Sequence, residues 1–269
     1  MTHASIPRVR IEPLYLLFTF FGGLVLLFII APLAGMVLQT SFAELTETAI
    51  ESEVRDSIWL TLWTSMAATL ILGVLSVPFA YLLARKSFPL KRFVSALVDI
   101  PIVIPHSAAG IAILGIISRD TPLGSAAEHM GFHFVGGAAG IMVAMTFVSI
   151  PFLINAARDG FAAVPERLEK AALSLGASPT RVFFAVSVPL AWRAILSGFV
   201  LMWARGLSEF GAVVVVAYHP IVTPVLIYER FGAFGLQSAR PISVVFIGVC
   251  LIFFIVIRLL AREPKDVER

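Results

Sequence analysis

Charge is what this sequence has least of. Asp, Glu, Lys and Arg make up 14% of its 269 residues, against roughly a quarter in soluble globular domains. With 59% hydrophobic residues and a mean hydropathy of +0.95, that scarcity excludes an ordinary soluble fold and points to an integral membrane protein. Cysteine is scarcer still. Cys250 stands alone in an apolar run, which excludes an intrachain disulfide and any thiol or metal site built from cysteine alone. The phosphate-cradling pattern G-x4-G-K-[ST] occurs nowhere, so the chain has no such cradle of its own. No nucleophile–base constellation stands out. Net charge is only +3, and the basic residues sit mainly between apolar runs, which argues against a nucleic-acid partner.

What is present is a series of long apolar runs. A chain of this length accommodates about six spanning helices of roughly 20 residues. Leu14 to Leu38 follows Arg8 and Arg10 and is much longer than the apolar region of a signal peptide, so it reads as a retained spanning helix. Further runs cover Ser57 to Ala84, about Phe93 to Ile117, Val135 to Ala157, Pro189 to Ala217 and Pro241 to Ile257. Glu44, Glu47, Glu51, Glu53, Arg55 and Asp56 read as a short acidic loop, and Arg85, Lys86, Lys91 and Arg92 as a basic turn. Ile100 to Pro105 reads IPIVIP; two prolines four apart predict a kinked or opened helix. Val225 to Arg240 reads as a short re-entrant or interfacial helix. His129 and His133 have i,i+4 spacing, a metal-binding arrangement on a helix if a further ligand joins them and otherwise a pair of solvated loop histidines.

The Lys/Arg bias predicts orientation. Fifteen of the 20 basic residues fall in the N-terminus, the 85–92 turn, the 158–193 segment and the tail, and four in the opposite loops. Both termini and the 158–193 segment are thereby expected in the cytoplasm.

That segment contains the longest polar-rich stretch, VPERLEKAALSLGASPTRVFFAVSVP, Val164 to Pro189. Pro165 suits a helix start, and Glu166 and Glu169 sit in the first turn, where carboxylates complement the helix dipole. Ala171, Ala172 and Leu175 form a small apolar stripe, and Gly176 fits the left-handed position that ends a helix. Ser178-Pro179 caps a second short helix. The expectation is a helix–turn–helix outside the bilayer with an exposed small-residue face.

This run resembles the EAA loop of type I ABC importer permeases, E-A-A-x3-G-x9-I-x-L-P. Ala171, Ala172, Gly176 and Pro189 occupy family positions, with Val186 and Val188 at the aliphatic ones. The Glu slot holds Lys170, with Glu169 one residue earlier, so the salt bridge normally made there loses its usual residue. RGLSEFGA, Arg205 to Ala212, is similar to the R-x-x-x-E-[FY]-G segment of permeases for molybdate, tungstate and sulfate, as are YLLARKSFP, Tyr81 to Pro89, and the Ile100 to Gly115 region.

The resemblance implies an all-α membrane protein of type I ABC importer fold, about six transmembrane helices with a cytoplasmic coupling-helix loop. It divides into 1–54 (N-terminal cytoplasmic tail, first transmembrane helix and external loop), a transmembrane core at 55–260 and a cytoplasmic tail at 261–269. It implies a multi-pass plasma-membrane permease that imports molybdate or tungstate by alternating access. The partners implied are a second copy of the chain, two ABC ATPase subunits, an extracytoplasmic oxyanion-binding protein and the lipid bilayer. ATP and Mg are bound by the ATPase, and no cofactor by this chain. The coupling residues are then Glu166, Glu169, Lys170, Ala171, Ala172, Leu175, Gly176, Ala177 and Pro189.

Few ionisable groups lie within the spans: Asp99, His106, Arg205 and Glu209. Such groups usually face a bundle interior. Arg205 and Glu209 are four apart, so they share a helix face and neutralise each other. They form either a structural clamp or, with Ser208 and Gly211, part of a translocation pathway or gate. Four alternatives remain: a sulfate/thiosulfate permease, a permease for another ABC substrate such as phosphate, polyamines or iron, a passive channel, and a membrane-embedded enzyme whose only candidate polar residues are Asp120, Glu128, His129 and His133.

Overall fold

The computed structural model describes residues 13–260; Arg8, Arg10 and the tail from residue 261 lie outside them. The helices are, in order, α1 (Pro13–Leu38), α2 (Phe42–Ile50), α3 (Ser52–Arg85), α4 (Lys91–Val103), α5 (His106–Ile117), α6 (Pro122–His129) and α7 (Ala138–Ala163). They continue as α8 (Glu166–Ser174), α9 (Pro179–Val182), a π-turn (Phe183–Ser187), α10 (Val188–Leu207), α11 (Gly211–Val216), α12 (Thr223–Phe234) and α13 (Leu236–Leu260). Five of these stretches are long and apolar enough to cross a membrane, or six if α4 and α5 together make one broken span. The protein is an all-helical, multi-pass membrane protein.

The described residues fall into two compact units, one holding those up to Ile50 with those from Phe234 onward, the other running from Glu51 to Ala233. In the first, α2 packs along α13, and Arg240 Nη1 donates to the Gln39 carbonyl at 2.8 Å. α1 buries none of its residues.

The second unit is built on α3, α7 and α10, which pack side by side. Lipid tails are as apolar as leucine, so close backbone approach rather than hydrophobicity holds such helices together. Gly198 and Gly160 provide it. A Cβ on Gly198 would stand 2.9 Å from Leu153 Cδ1 and one on Gly160 2.4 Å from Ala194 Cβ. α3 turns a hydroxyl-rich face inward, with Ser57, Thr61, Thr64, Ser65, Thr69 and Ser76 all buried. Thr61, Thr64, Thr69 and Ser76 each return a hydrogen bond to the carbonyl four residues back, which lets polar groups sit in an apolar interior at little cost. Ser57 and Thr61 also meet the Thr223 hydroxyl, fastening the start of α12 to α3.

The IPIVIP stretch opens as its prolines require. α4 ends at Val103, Ile104 is extended, and α5 leaves at 114° to α4. Elsewhere the structure corrects the sequence reading. The supposed acidic loop is largely helical, because Ser41 and Glu44 make a reciprocal capping box. The Ser41 N–H donates to Glu44 Oε2 at 2.6 Å and the Glu44 N–H to Ser41 Oγ at 3.2 Å, which nucleates α2. Glu53 and Asp56 belong to the first turns of α3, and Arg230 closes on Glu51 and Glu53. The run expected to continue to Ala217 breaks between α10 and α11. His133 falls after the end of α6, so it shares no helix with His129; His129 Nδ1 instead meets the Ser125 carbonyl at 2.7 Å. Among the described residues no group of three or more His, Cys, Asp or Glu stands close enough to hold a metal ion.

Candidate functional site

Two places concentrate the polar chemistry of the second unit. The first is the turn between α7 and α10. Val164 ends α7, and α8 runs to Ser174. Gly176 then takes φ +87°, a left-handed conformation that costs a residue with a Cβ roughly 1–2 kcal/mol. Its N–H and that of Ala177 close the helix end onto the carbonyls of Leu173 and Ala172. Ser178 Oγ accepts from the Arg181 N–H at 3.3 Å, and Pro179 opens α9. The helix–turn–helix shape read from the sequence is therefore present.

On this turn Ala171, Leu175, Gly176 and Pro189 are exposed, while Ala172 and Ala177 are half-buried. Leu175 is 89% exposed. Lys170 pairs with Glu166 at 2.9 Å, and that hydrogen bond holds the Glu166 carboxyl below the usual range. Glu169, a first-turn carboxylate as the sequence indicates, is buried. Arg85 Nε donates to both its oxygens, at 2.9 and 3.0 Å, and Arg85 Nη2 lies 2.9 Å from Oε1. The same nitrogen donates to the Val164 carbonyl at 2.8 Å. The Ser187 hydroxyl donates to Glu169 Oε1 at 2.7 Å and the Tyr81 hydroxyl to Oε2 at 3.4 Å. Tyr81 also packs edge-on against Phe161 and Phe183, so aromatic rings wall off one side of the pair. Arg85 is the last residue of α3 rather than part of a solvated basic turn.

The second place is the break between α10 and α11. Glu209 lies two residues beyond the end of α10, so it and Arg205 meet across a helix terminus and not along a helix face. Arg205 Nη2 is 3.0 Å from Glu209 Oε2. Arg205 sits in the last turn of α10, where a cation complements the dipole, and Glu209 Oε1 accepts from the Ala212 N–H at the start of α11, at 2.8 Å. Both charges thereby stabilise the break itself.

His106, the first residue of α5, completes the cluster. Its Nδ1 is 3.1 Å from Glu209 Oε2, and Arg205 Nη2 lies 2.9 and 2.8 Å from its two ring nitrogens. Gly211 makes room for it, since a Cβ there would stand 2.8 Å from His106 Cβ. Glu209 is fully buried, with Arg205 and His106 21 and 37% exposed. Although the Arg205 guanidinium and the His106 ring stand close by, Glu209 Oε2 has no aligned hydrogen bond. Ser208 Oγ lies 3.3 Å from Arg205 Nη1. The sequence names His106 among the few ionisable groups of the spans and pairs Arg205 with Glu209, but nothing in it joins His106 to that pair, 99 residues away from Arg205. Asp99 is elsewhere, accepting from Asn155 Nδ2 at 2.7 Å.

A cavity of about 600 Å3 between α3 and α7 is lined by Ile71, Phe134, Met142, Thr146 and Phe147 among others, with no charged residue. An anion entering it would lose its hydration uncompensated.

Residues 76–265 match the family described as the inner membrane component of binding-protein-dependent transport systems. The chain is 43% identical over 251 residues to a molybdate/tungstate transport system permease protein of Thermococcus kodakarensis, covering 93% of this chain and 96% of that one. It is 33% identical over 230 residues to a probable sulfate transport system permease protein of Chlorokybus atmophyticus, covering 83% and 80%. Its fold is similar to a chain of a bacterial alginate ABC transporter crystallised with its alginate pentasaccharide-bound periplasmic protein. There the TM-score is 0.70 at 16% identity, covering 92% of each chain.

Proposed function

Because the chain belongs to the family of inner membrane components of binding-protein-dependent transport systems, we propose that it is the permease subunit of an ATP-driven importer of molybdate or tungstate. The substrate class rests on one observation, the 43% identity to a molybdate/tungstate permease over nearly the whole of both chains; the likeness to a sulfate permease is lower.

In this reading two copies of the chain form the pore in the plasma membrane. The Lys/Arg bias puts both termini and α8 in the cytoplasm. A separate pair of ATPase subunits binds ATP and Mg, and α8 with its following turn is the coupling element. Ala171, Leu175, Gly176 and Ala177 offer a smooth apolar surface to a groove on the ATPase. Glu166 and Lys170 flank it, and Pro189 begins the return into the membrane. ATP binding draws the ATPase pair together, and the displaced coupling helices swing the spans from one access state to the other. An extracytoplasmic binding protein delivers the oxyanion and carries most of the selectivity, which fits the scarcity of cationic groups in the spans. Arg205, Ser208, Glu209 and Gly211 form part of the pathway or its gate. A partly exposed arginine in a spanning segment faces water or protein rather than hydrocarbon, and Arg205 with Ser208 presents donors to a passing anion.

The test is ATPase stimulation in proteoliposomes containing the chain, its ATPase and its binding protein, challenged with molybdate, tungstate, sulfate and phosphate. Stimulation by molybdate or tungstate alone is expected. Stimulation by sulfate keeps the mechanism and changes the substrate. Failure of any ATPase to assemble with the chain removes the reading. Gly176→Glu, which adds strain and charge to the docking surface, is expected to abolish assembly while leaving membrane insertion intact.

A further inference from the structure

A helix on a protein surface usually holds on by an apolar stripe. α8 does not. Of its nine residues only Glu169 is buried, while Leu168 and Leu173 are 41 and 45% exposed. The one side chain that anchors α8 inward is a carboxylate, and the groups bonded to that carboxylate all belong to other elements. Arg85 and Tyr81 end α3, and Ser187 ends the π-turn that leads into α10. Arg85 in turn holds the Val164 carbonyl at the end of α7. Four elements therefore meet at one ion pair whose side chains are 8 and 10% exposed.

We propose that Arg85 is a positioning residue that latches α8 to the ends of α3, α7 and α10, and that this latch converts displacement of α8 into movement of those spans. The inference rests on the reading of α8 as the ATPase-docking helix. Besides the latch, α8 touches α9 and the π-turn and is joined to the chain through its flanking connections, one of which is the left-handed turn at Gly176. A planar guanidinium bound to both carboxylate oxygens fixes orientation as well as distance; an ammonium at the same place fixes distance alone. Burial matters because water would otherwise replace these bonds as α8 is pulled, and the pull would be lost. The π-turn contributes by widening the backbone locally, and its last residue, Ser187, supplies the hydroxyl that fills Oε1.

A merely structural role for Arg85 predicts fewer working molecules, with uptake and ATP hydrolysis falling together. The latch predicts that their ratio falls. In the full transporter reconstituted in proteoliposomes, Arg85→Gln is expected to lower molybdate taken up per ATP hydrolysed by about tenfold or more, with Arg85→Lys recovering part of the loss. An unchanged ratio in Arg85→Gln overturns the inference. A second measurement needs no ATPase: amide hydrogen exchange of the full chain in lipid nanodiscs. Arg85→Lys and Ser187→Ala are expected to speed exchange across 166–174 by about tenfold while the interiors of α3 and α7 keep wild-type protection. Wild-type exchange in α8 for both variants overturns the latch. An ATPase that fails to assemble with the wild-type chain removes the coupling reading instead, and the exchange result still decides whether the latch exists.

Discussion

The two Arg–Glu pairs of the second unit whose carboxylates are buried use the same two side chains and hold them in opposite ways. Arg85 and Glu169 are 84 residues apart, and both carboxylate oxygens receive aligned bonds. Arg205 and Glu209 are four apart, yet the more deeply buried carboxylate is the one whose Oε2 has a guanidinium close by and no aligned bond. A fully bonded buried charge has one geometry, whereas one held mainly by proximity tolerates several, because low dielectric makes attraction strong without making it directional. The first arrangement suits transmission of a displacement. The second suits rearrangement.

Substitutions that break or sharpen this contrast run from large to small. Glu209→Ala strands the Arg205 guanidinium beside His106 and leaves the Ala212 N–H without its acceptor. It is expected to destabilise by about 3–5 kcal/mol, read as a lowered thermal midpoint in detergent; a wild-type midpoint would mean that the break between α10 and α11 is held by packing alone. Next, Arg85→Lys is expected to cost about 2 kcal/mol by losing the fork to Glu169 and Val164, while Arg205→Lys costs under about 1 kcal/mol, since no fork exists there. Equal shifts for the two would erase the distinction. Each pair also has its own serine. Ser187→Ala removes a 2.7 Å bond to a buried carboxylate and is expected to cost about 1.5 kcal/mol. Ser208→Ala removes an exposed 3.3 Å contact and is expected to stay within about 0.5 kcal/mol.

The smallest effect belongs to the exposed pair of Glu166 and Lys170. Lys170 lowers the Glu166 pKa, so whatever the pair contributes is present above the ordinary carboxylate pKa and is lost as pH falls through the lowered value. Solvent screening leaves it little weight. Lys170→Ala is expected to match the wild-type thermal midpoint at neutral pH, and a clear drop that vanishes on acidification would show the pair to be stronger than its exposure allows.

How much of this was readable in the residues varies with the range of the interaction. Spans were legible because hydropathy is a local sum, and the bend at Ile104 because proline acts on its own backbone. Gly176 and Ser178 announced their turn for the same reason. α2 was missed although Ser41 and Glu44 carry the capping spacing, because five acidic residues nearby read as a loop. The end of α10 was also marked locally, by Gly206 and Gly211, but the apolar residues on either side masked it. Arg85 with Glu169, and His106 with Glu209, left no local trace. Nothing in an 84-residue separation says which of several basic residues will reach a particular carboxylate.

The π-turn has a further consequence, for length rather than for identity. Phe183–Ser187 holds one residue more than an ordinary helical turn would need. Its last residue must meet Glu169, while eleven positions later Gly198 must meet Leu153 and Ala156. Five residues at the wider π winding turn the chain about as far as four in a regular helix. The turn therefore absorbs its extra residue locally and leaves the helix on either side nearly in phase, so that Ser187 and Gly198 each face their own neighbours. Deleting one residue from 183–187 should accordingly disturb the packing of Gly198 less than deleting one from the middle of α10, where nothing absorbs a shift of about 100° per residue.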